Sequence, residues 1–408
     1  MLPELDIKIC EPEKRDDGIV LLTIGRNTRA IRKTSEFEAI IAINRHGQIV
    51  WHREFDFVLM DCRQSKAGTL LIMSTDGRIV EMALDGTILH QWYCRDRFPD
   101  GVDGIALDTP KFHHTVCELS NGLLATLSIE HLPLAEPQDE WTHLMSDTIV
   151  LFERSGRIVC EISVADILDV ERHSHDSVVP YWPHQGWANT LDWSHANCLI
   201  EDPLDGGLLI SFRHQDAVVK ISAEGDLLWI LGHDIGWRDP WRNKLLKVDG
   251  GRPFYHQHDL SFTANGDLML FDNGTAGTYP PSPRQPLPER QSFALSYRID
   301  SNTMTATETW RYGDLLYSHY VSGVCEMPNG NRFIACTGIK IDLDGNRVEA
   351  PPFGVGSIEL VEVTPTGERV FHALLEDPTA VPEAGWNGFR PEYLSHTVAQ
   401  QLPRERSL

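Results

Sequence analysis

One pattern recurs along the 408-residue sequence and limits what the chain can fold into. A short apolar strand is followed by a glycine turn, an alternating strand, a third strand, and a second glycine turn leading to a strand that often ends in Trp. Asn-Gly and Asp-Gly pairs form the turns, as at Asn121-Gly122 and Asn265-Gly266. Such pairs supply the positive φ angles of tight hairpins. The pattern therefore predicts antiparallel strands joined by short turns, with little helix.

Six copies of the unit can be counted, near 18–55, 59–92, 113–162, 195–232, 257–313 and 322–375. A period of roughly 40–60 residues with about four strands per unit is typical of propellers. The repeat therefore predicts an all-β fold, a six-bladed β-propeller that forms a single domain over 1–408. The segment 385–408 could return to the first unit and close the ring. A two-sheet sandwich and two separate β domains are the alternatives.

Long irregular stretches at 165–194, 233–256 and 274–291 interrupt the repeat. Loops of this length in a compact domain usually have a function. The first two directly precede histidines, so we expect them to form walls over one mouth of the central channel.

Composition excludes several classes of protein. The formal charge is −23 and Lys and Arg do not cluster, which argues against a nucleic-acid partner. The sequence contains no run of about 18 apolar residues, the length that a membrane-spanning helix needs. The first residues lack the basic start and apolar stretch of a signal peptide, so we expect a cytoplasmic protein. The eight cysteines form no CxxC pair, which argues against zinc ribbons. Nothing in the sequence indicates an oligomeric state.

Three histidines occupy related places in the repeat. His114 lies eight positions before Gly122, His258 lies eight before Gly266, and His195 begins the corresponding strand of the fourth unit. Equivalent positions in successive blades face the same axis, so these histidines should converge at one end of the channel. Strand alternation should point the neighbouring His113 and His256 away from that site.

Polar and aromatic residues accompany these histidines. Arg213 follows His195 by 18 residues in an apolar strand, where its guanidinium suits an oxyanion such as sulfate, phosphate or carboxylate. A salt bridge from Arg213 to a carboxylate such as Asp216 is the alternative. Asn197 alternates with His195 and could donate its amide to the same oxyanion. Further aromatic residues suggest a pocket for an aromatic or anionic small molecule, namely Trp187, Trp193, Tyr255 and Tyr279.

Two segments resemble a known family. The run DWSHANCL…GGLLISFRHQDAVVKI, starting at Asp192, resembles the signature of bacterial arylsulfate sulfotransferases of the β-propeller type. The run QHDLSFTANGDLMLFDNG, starting at Gln257, resembles the corresponding later segment. The likeness is strongest over 110–340. The sixth unit departs from the family pattern and offers Ser318, His319, Tyr320 and Ser322 near the channel, of which we take His319 and Tyr320 as substrate-binding candidates.

The resemblance implies an enzyme that moves a sulfuryl group from a phenolic sulfate ester to another phenol through a sulfated histidine. No nucleotide sulfate donor, metal or other cofactor would take part. His258 matches the nucleophile, His195, Asn197 and Arg213 match residues that hold the sulfuryl oxygens, and His114 matches the histidine that assists proton transfer. The chemistry is sound, because a neutral imidazole is a good nucleophile and cationic groups stabilise charge developing on oxygen.

Two other hypotheses about the function stay open. The three histidines could bind a divalent metal and support a lyase or hydrolase. The chain could also be a non-catalytic interaction propeller with an apolar patch on its rim.

Overall fold

The structure, a computed structural model, describes residues 2–27, 35–138, 140–252, 254–342, 344–349, 354–377 and 384–403. Regular structure within these ranges is almost entirely β. The strands in chain order are β1 (Asp6–Cys10), β2 (Ile19–Asn27), β3 (Ser35–Asn44), β4 (Ile49–Glu54), β5 (Leu59–Gln64), β6 (Leu70–Ser74), β7 (Arg78–Met82), β8 (Ile88–Cys94), β9 (Ile105–Leu107), β10 (His113–Glu118), β11 (Leu124–Gln138), β12 (Trp141–Phe152), β13 (Ile158–Ser163), β14 (Thr190–Asp192), β15 (Ala196–Glu201), β16 (Leu208–Phe212), β17 (Ala217–Ile221), β18 (Leu227–Gly232), β19 (Lys247–Asp249), β20 (His258–Phe262), β21 (Leu268–Asp272), β22 (Phe293–Asp300), β23 (Thr305–Tyr312), β24 (Gly323–Glu326), β25 (Arg332–Ile341), β26 (Val355–Val363), β27 (Arg369–Leu375) and β28 (Gly385–Leu394).

Helical segments are short. The described α-helices are α1 (Tyr181–His184) and α2 (His396–Ala399). The 3-10 segments are Pro12–Lys14, Arg95–Arg97, Val164–Asp166, Arg213–Gln215, Trp241–Lys244 and Leu287–Glu289. Within the described ranges, no helix has the length and apolar character that crossing a bilayer requires.

The strands form five antiparallel-based sheets. Three contain the groups β5–β8, β10–β13 and β15–β18, and a fourth contains β20–β23, with β9, β14 and β19 added in parallel pairings. The fifth sheet has nine strands and contains the groups β24–β27 and β28-β2-β3-β4, with β1 beside β27. A single parallel pair, Gly356 with Gly385, joins these two groups. The described strands therefore fall into groups of four, each ordered from an inner to an outer strand.

The first strands of these groups close a ring. β5 packs on β10, β10 on β15, β15 on β20, β20 on β24, β24 on β28, and β28 again on β5. Because β28 pairs with β2, the last described strand completes the first sheet. The cyclic order makes the fold an all-β propeller, as the sequence repeat predicts. The grouping supports a count of six blades, which stays a prediction.

The cores lie between neighbouring sheets. One such layer fully buries Trp92 of β8, Phe152 of β12, and Phe112, which directly precedes β10. The Trp92 and Phe152 rings are 5.7 Å apart between centroids. A strand such as β17 is buried along its whole length because both of its faces carry apolar neighbours. The hairpin turns follow the predicted chemistry, since Gly122 has a φ of 83° and its N–H donates to the Leu119 carbonyl at 3.0 Å.

A buried guanidinium ties the inner strands together at the middle of the ring. Arg390 of β28 donates from Nε to Asp61 Oδ1 of β5 at 2.8 Å and from Nη2 to Thr115 Oγ1 of β10 at 2.7 Å. Its Nη1 lies 2.9 Å from Cys198 Sγ of β15 and 3.2 Å from Asp259 Oδ1 of β20. One side chain thus bonds four of the inner strands to its own.

Candidate functional site

Hairpin hydrogen bonds give the register of the inner strands. Each of the three hairpins opens with an N–H donated across the turn, from Leu119 to Leu123, from Thr263 to Asp267 and from Asp202 to Gly207. Counting back five residues from the donor reaches His114, His258 and Asn197. The prediction that His195 shares the position of His114 and His258 is therefore wrong. His195 lies two residues earlier in its blade, on the segment that leads into β15.

Positive φ angles break the strand alternation at this end of the channel. His114 has φ 60°, His195 has φ 49° and Asp259 has φ 59°, each next to a register shift in its inner strand. A bulge of this kind turns successive side chains to new directions. Consequently the prediction that His113 points away from the site is wrong: its Nδ1 lies 2.9 Å from His114 Nδ1.

The structure brings the predicted histidines together. The His114 and His195 rings are 5.3 Å apart between centroids, and His195 lies 4.5 Å from His214. Phe389 packs against both His114, at 6.4 Å, and His258, at 6.3 Å. His214 and His258 are buried, whereas His114 and His195 are half-buried and reach the solvent side of the cluster.

Hydrogen bonds fix the proton positions on His113 and His114. His113 Nε2 lies 3.0 Å from the Ser128 carbonyl and 3.1 Å from Asp147 Oδ1, so this nitrogen carries a hydrogen and donates. In a neutral His113, Nδ1 then accepts from His114 Nδ1–H. His114 is left with an unprotonated Nε2. Burial first, then the charges of His113 and His195, lower the pKa of His114 well below its ordinary value, which keeps the ring neutral.

His195 has a carboxylate partner. Asp192 Oδ2 lies 2.8 Å from His195 Nδ1, and Trp182 Nε1 donates to Asp192 Oδ1 at 3.0 Å. Burial acts to raise the pKa of Asp192, but the charges of His195 and His214 and these hydrogen bonds hold it below its usual value. The ionised Asp192 orients His195 with Nε2 away from the carboxylate.

His258 has an amide partner instead. Its Nδ1 lies 2.8 Å from Asn273 Oδ1 and 3.2 Å from the His256 carbonyl. Burial, followed by the positive charge of Arg213, lowers the pKa of His258 well below its ordinary value. A buried imidazole that stays neutral is a nucleophile that remains available at neutral pH.

Arg213 begins a 3-10 turn after β16 rather than lying on a strand. Its Nη2 is 3.0 Å from Asp176 Oδ2, and Arg284 Nη2 lies 2.7 Å from the other oxygen of that carboxylate. The carboxylate partner is thus Asp176, not Asp216. His214 accepts from Arg213, while the buried Nε of Arg213 has no hydrogen-bond partner among the described residues. The guanidinium is positioned by protein groups and retains a free donor.

Asp176 comes from the long loop at 165–194. Burial acts to raise its pKa, and the charges of His256, Arg213, His214 and Arg284 outweigh that effect and lower the pKa well below the usual value. Two guanidinium groups thus flank Asp176, and a second carboxylate, Asp216, lies 3.1 Å from His256 Nδ1 on the other side of that ring. The free Nε of Arg213 is the donor that this wall of the site offers to an anion.

Asn197 is buried beside the nucleophile's strand. Its Nδ2 donates to the Gln257 carbonyl at 2.7 Å, and its Oδ1 has no hydrogen-bond partner within the described part of the chain. This differs from the prediction that Asn197 donates to an oxyanion, because its unpartnered atom is an acceptor. An acceptor suits a hydroxyl group better.

The remaining predicted residues divide in two. His319 is buried with an unpartnered Nε2, and burial, then the charges of Arg290 and Arg213, lower its pKa to about 3. Tyr320 is half-buried next to it in the chain, and Tyr255 is half-buried with its ring 5.6 Å from His233. Trp193 is fully buried in a hydrophobic core and donates to the Arg172 carbonyl at 3.1 Å. Trp193 therefore cannot line a substrate pocket, and its prediction is wrong.

Sequence reasoning missed a small apolar pocket beside His114 and His195. Its further lining includes Lys111, Ile129, Met145, Tyr181 and Trp182. The Lys111 ammonium lies 5.2 Å from the centre of the Trp182 ring. Burial lowers the pKa of Lys111. Asp147 and Asp192 also line this pocket, so it combines apolar walls with charged groups.

Two groups of donor atoms lie within 4.8 Å of one another in the described residues, namely Asp176 with His214 and His256, and Asp192 with His195 and His214. The trio His114, His195 and His258 is not one of them. Arg213 and Arg284 contact Asp176, and Arg213 donates to His214. The two guanidinium groups disfavour a cation beside Asp176, although neither nitrogen of the buried His256 has a hydrogen-bond partner among the described residues. In the second group, Asp192 Oδ2 and His195 Nδ1 are bonded to each other at 2.8 Å.

A propeller channel that ends in buried histidines beside a partly free arginine defines a site for chemistry on small anions. The family model described as arylsulfotransferase (ASST) matches residues 10–380, so the chain belongs to the arylsulfotransferase family. It is 28% identical over 220 residues to the arylsulfate sulfotransferase AssT of Escherichia coli O6:H1, covering 43% of this chain and 36% of the relative. The AssT of Lelliottia amnigena is 28% identical over 213 residues, covering 42% and 35%. The chain thus aligns with about a third of the length of these curated relatives.

Solved structures give weaker likenesses. A protein of unknown function from Bacteroides caccae is 13% identical, with a TM-score of 0.48 and coverage of 92% of this chain and 99% of that one. A virginiamycin B lyase from Staphylococcus aureus is 12% identical, with a TM-score of 0.40 and coverage of 91% and 99%. These TM-scores are too low for either structure to indicate the function of this chain.

Proposed function

We propose that the protein transfers a sulfuryl group from a phenolic sulfate ester to a second phenol through a sulfated His258. One observation carries the proposal: His258 is buried with Nδ1 held by Asn273 Oδ1 at 2.8 Å, and its pKa is lowered by burial and by the charge of Arg213, whose Nε has no hydrogen-bond partner among the described residues. Membership of the arylsulfotransferase family supports the same reaction.

The charged part of the donor would lie between Arg213 and His258. The sulfate ester is an anion, and the free Nε of Arg213 would donate a hydrogen bond to one of its oxygens. The aryl ring would occupy the pocket lined by Ile129 and Met145.

In the first half-reaction, the Nε2 lone pair of His258 forms an N–S bond while the bond from sulfur to the aryl oxygen breaks. The bonding pair leaves with the phenolate, and the Lys111 ammonium in the same pocket supplies its proton. Arg213 stabilises the charge that spreads over the sulfuryl oxygens.

In the second half-reaction, an incoming phenol attacks the sulfur and loses its proton to the unprotonated Nε2 of His114. The new S–O bond forms, and the N–S bonding pair returns to His258. His114 passes the proton back to Lys111, so the site regains its starting charge.

A chromogenic aryl sulfate, 4-nitrophenyl sulfate, with phenol as acceptor tests the proposal. No nucleotide is added and a chelator is present. We expect turnover by the wild type and a loss of ~10³-fold or more in His258→Ala, as removal of a covalent nucleophile causes. His90→Ala is the matched control, because His90 is a half-exposed histidine that pairs with Glu81 far from the site. Equal rates in all three proteins contradict the proposal, and activity only with added divalent metal favours a metal-dependent lyase or hydrolase.

A further inference from the structure

Asn273 contacts the proposed nucleophile from the end of a neighbouring strand. It follows β21, is fully buried, and places Oδ1 at 2.8 Å from His258 Nδ1. Its Nδ2 donates to the carbonyl oxygens of Ser318 and Val321 at 3.0 and 3.2 Å. The side chain therefore bridges the strand of the nucleophile and the segment before β24.

The two carbonyl groups fix the orientation of the amide. An oxygen facing both carbonyls of Ser318 and Val321 would face acceptors only, so the NH₂ group must point there and Oδ1 must face His258. The His256 carbonyl, 3.2 Å from the same ring nitrogen, is a second acceptor. Nδ1 of His258 must therefore carry a hydrogen, whichever way the ring titrates.

The consequence for a neutral ring is an unprotonated Nε2. Within the described part of the chain, no hydrogen bond is formed by that Nε2, while Nδ1 has two acceptors. Its neighbour His195 is oriented by a carboxylate, Asp192, whereas His258 is oriented by a neutral amide. The two rings therefore have different acceptors at Nδ1, a carboxylate oxygen for His195 and an amide oxygen for His258.

We propose that Asn273 is a positioning residue that fixes His258 as the Nδ1–H tautomer, so that Nε2 is the atom that accepts the sulfuryl group. An amide oxygen cannot take the Nδ1 proton, so the ring keeps it when the N–S bond forms. The sulfated ring is then a cation and leaves readily when the acceptor phenol attacks. The kinetic part of this inference rests on the proposed function, but the position of the proton does not.

Nitrogen-15 NMR of histidine-labelled protein measures that position directly. The His258 signals are identified by their loss in His258→Ala. At pH 7 we expect a hydrogen bonded to Nδ1 and an Nε2 with the shift of an unprotonated nitrogen. An Nε2–H tautomer or a doubly protonated ring overturns the inference, even in a protein that transfers sulfuryl groups.

Three variants connect the proton to the rate. Asn273→Leu removes the acceptor, and we expect single-turnover sulfation to fall by ~10²- to 10⁴-fold, the range reached when a catalytic histidine loses its tautomer. Asn273→Asp substitutes a charged acceptor, so the pKa of His258 should rise and sulfation should become slower at pH 6 than at pH 8. Ser292→Ala is the control, since Ser292 Oγ donates to the Asn273 backbone carbonyl at 3.0 Å without touching the ring.

The outcomes separate the two claims. A purely structural Asn273 would lower the melting temperature in both Asn273 variants without moving the tautomer or the pH profile, and that result contradicts the inference. A correct tautomer in a protein that forms no sulfated histidine contradicts the proposed function and leaves the position of the proton standing.

Discussion

Replacing Asp176 by Asn removes the negative charge that contacts Arg213 and Arg284 without changing the shape of the site. The carboxylate lies 3.0 Å from Arg213 Nη2 and 2.7 Å from Arg284 Nη2. After the substitution, the two guanidinium groups have a net charge of +2 to offer a ligand. The change should therefore strengthen the binding of all anions, and of dianions most.

The size of the effect follows from the distance between charges. An anion on the free side of Arg213 would lie about 5 Å from Asp176, where a unit repulsion is worth about 1 kcal/mol in water and about 3 kcal/mol at an effective dielectric constant of 20. Its removal should strengthen monoanion binding by about 5- to 150-fold. For a dianion, the same repulsion counts twice.

Calorimetry with two inert analogues of equal shape provides the assay. Phenylsulfonate is a monoanion, and phenylphosphonate at pH 8.5 is a dianion. We expect Asp176→Asn to tighten phenylphosphonate by the larger factor and so to erode the preference for a singly charged group. Asp205→Asn is the matched control, because Asp205 also pairs with a cation, Lys220 at 2.6 Å, but on an exposed turn. Equal gains for both analogues, or none, would refute the idea that Asp176 sets the charge of the site.

Two further predictions concern the nucleophile and the centre of the ring. Burial and Arg213 lower the pKa of His258 well below 6.5, so the ring stays neutral as the pH falls. The rate of sulfo-enzyme formation in quenched-flow experiments should therefore stay constant from pH 8 to about pH 5. A rate that changes with a midpoint near pH 6.5 would contradict this prediction. Arg390→Met removes the buried cation that bonds Asp61 and Asp259 and leaves them only Arg63, so urea unfolding should show a loss of about 3–5 kcal/mol. Breaking the pair of the exposed Arg298 with Asp267 by Arg298→Met should cost about 0–1 kcal/mol.

The turns and the alternation of apolar residues were sufficient to predict an all-β propeller. Gly122 and Gly266 have the positive φ angles that their Asn-Gly pairs require, and strands lie on either side of them. Spacing from these turns also located His114 and His258, because a tight hairpin fixes the register of both its strands.

The remaining site residues depend on geometry that repetition does not encode. His114 and His195 have left-handed backbone angles although neither is a glycine, so alternation misplaced His113. Asp176 and Asp192 lie in or at the end of a long loop whose path a strand repeat does not specify. Trp193 looked like a pocket residue because it is aromatic and precedes the site, but aromatic side chains also fill cores, and here it is in the core. Asn273 was within the quoted family segment, and only its two backbone partners distinguish it from an ordinary turn residue.

Intact mass spectrometry after exposure to an aryl sulfate alone, without acceptor, tests whether His258 carries the sulfuryl group. We expect the wild type to gain the mass of one sulfuryl group, which maps to the peptide containing His258 and is removed when a phenol is added. His258→Ala should gain nothing under the same conditions. An unmodified wild type that nevertheless turns over, or a sulfated His258→Ala, would contradict a sulfated His258 intermediate.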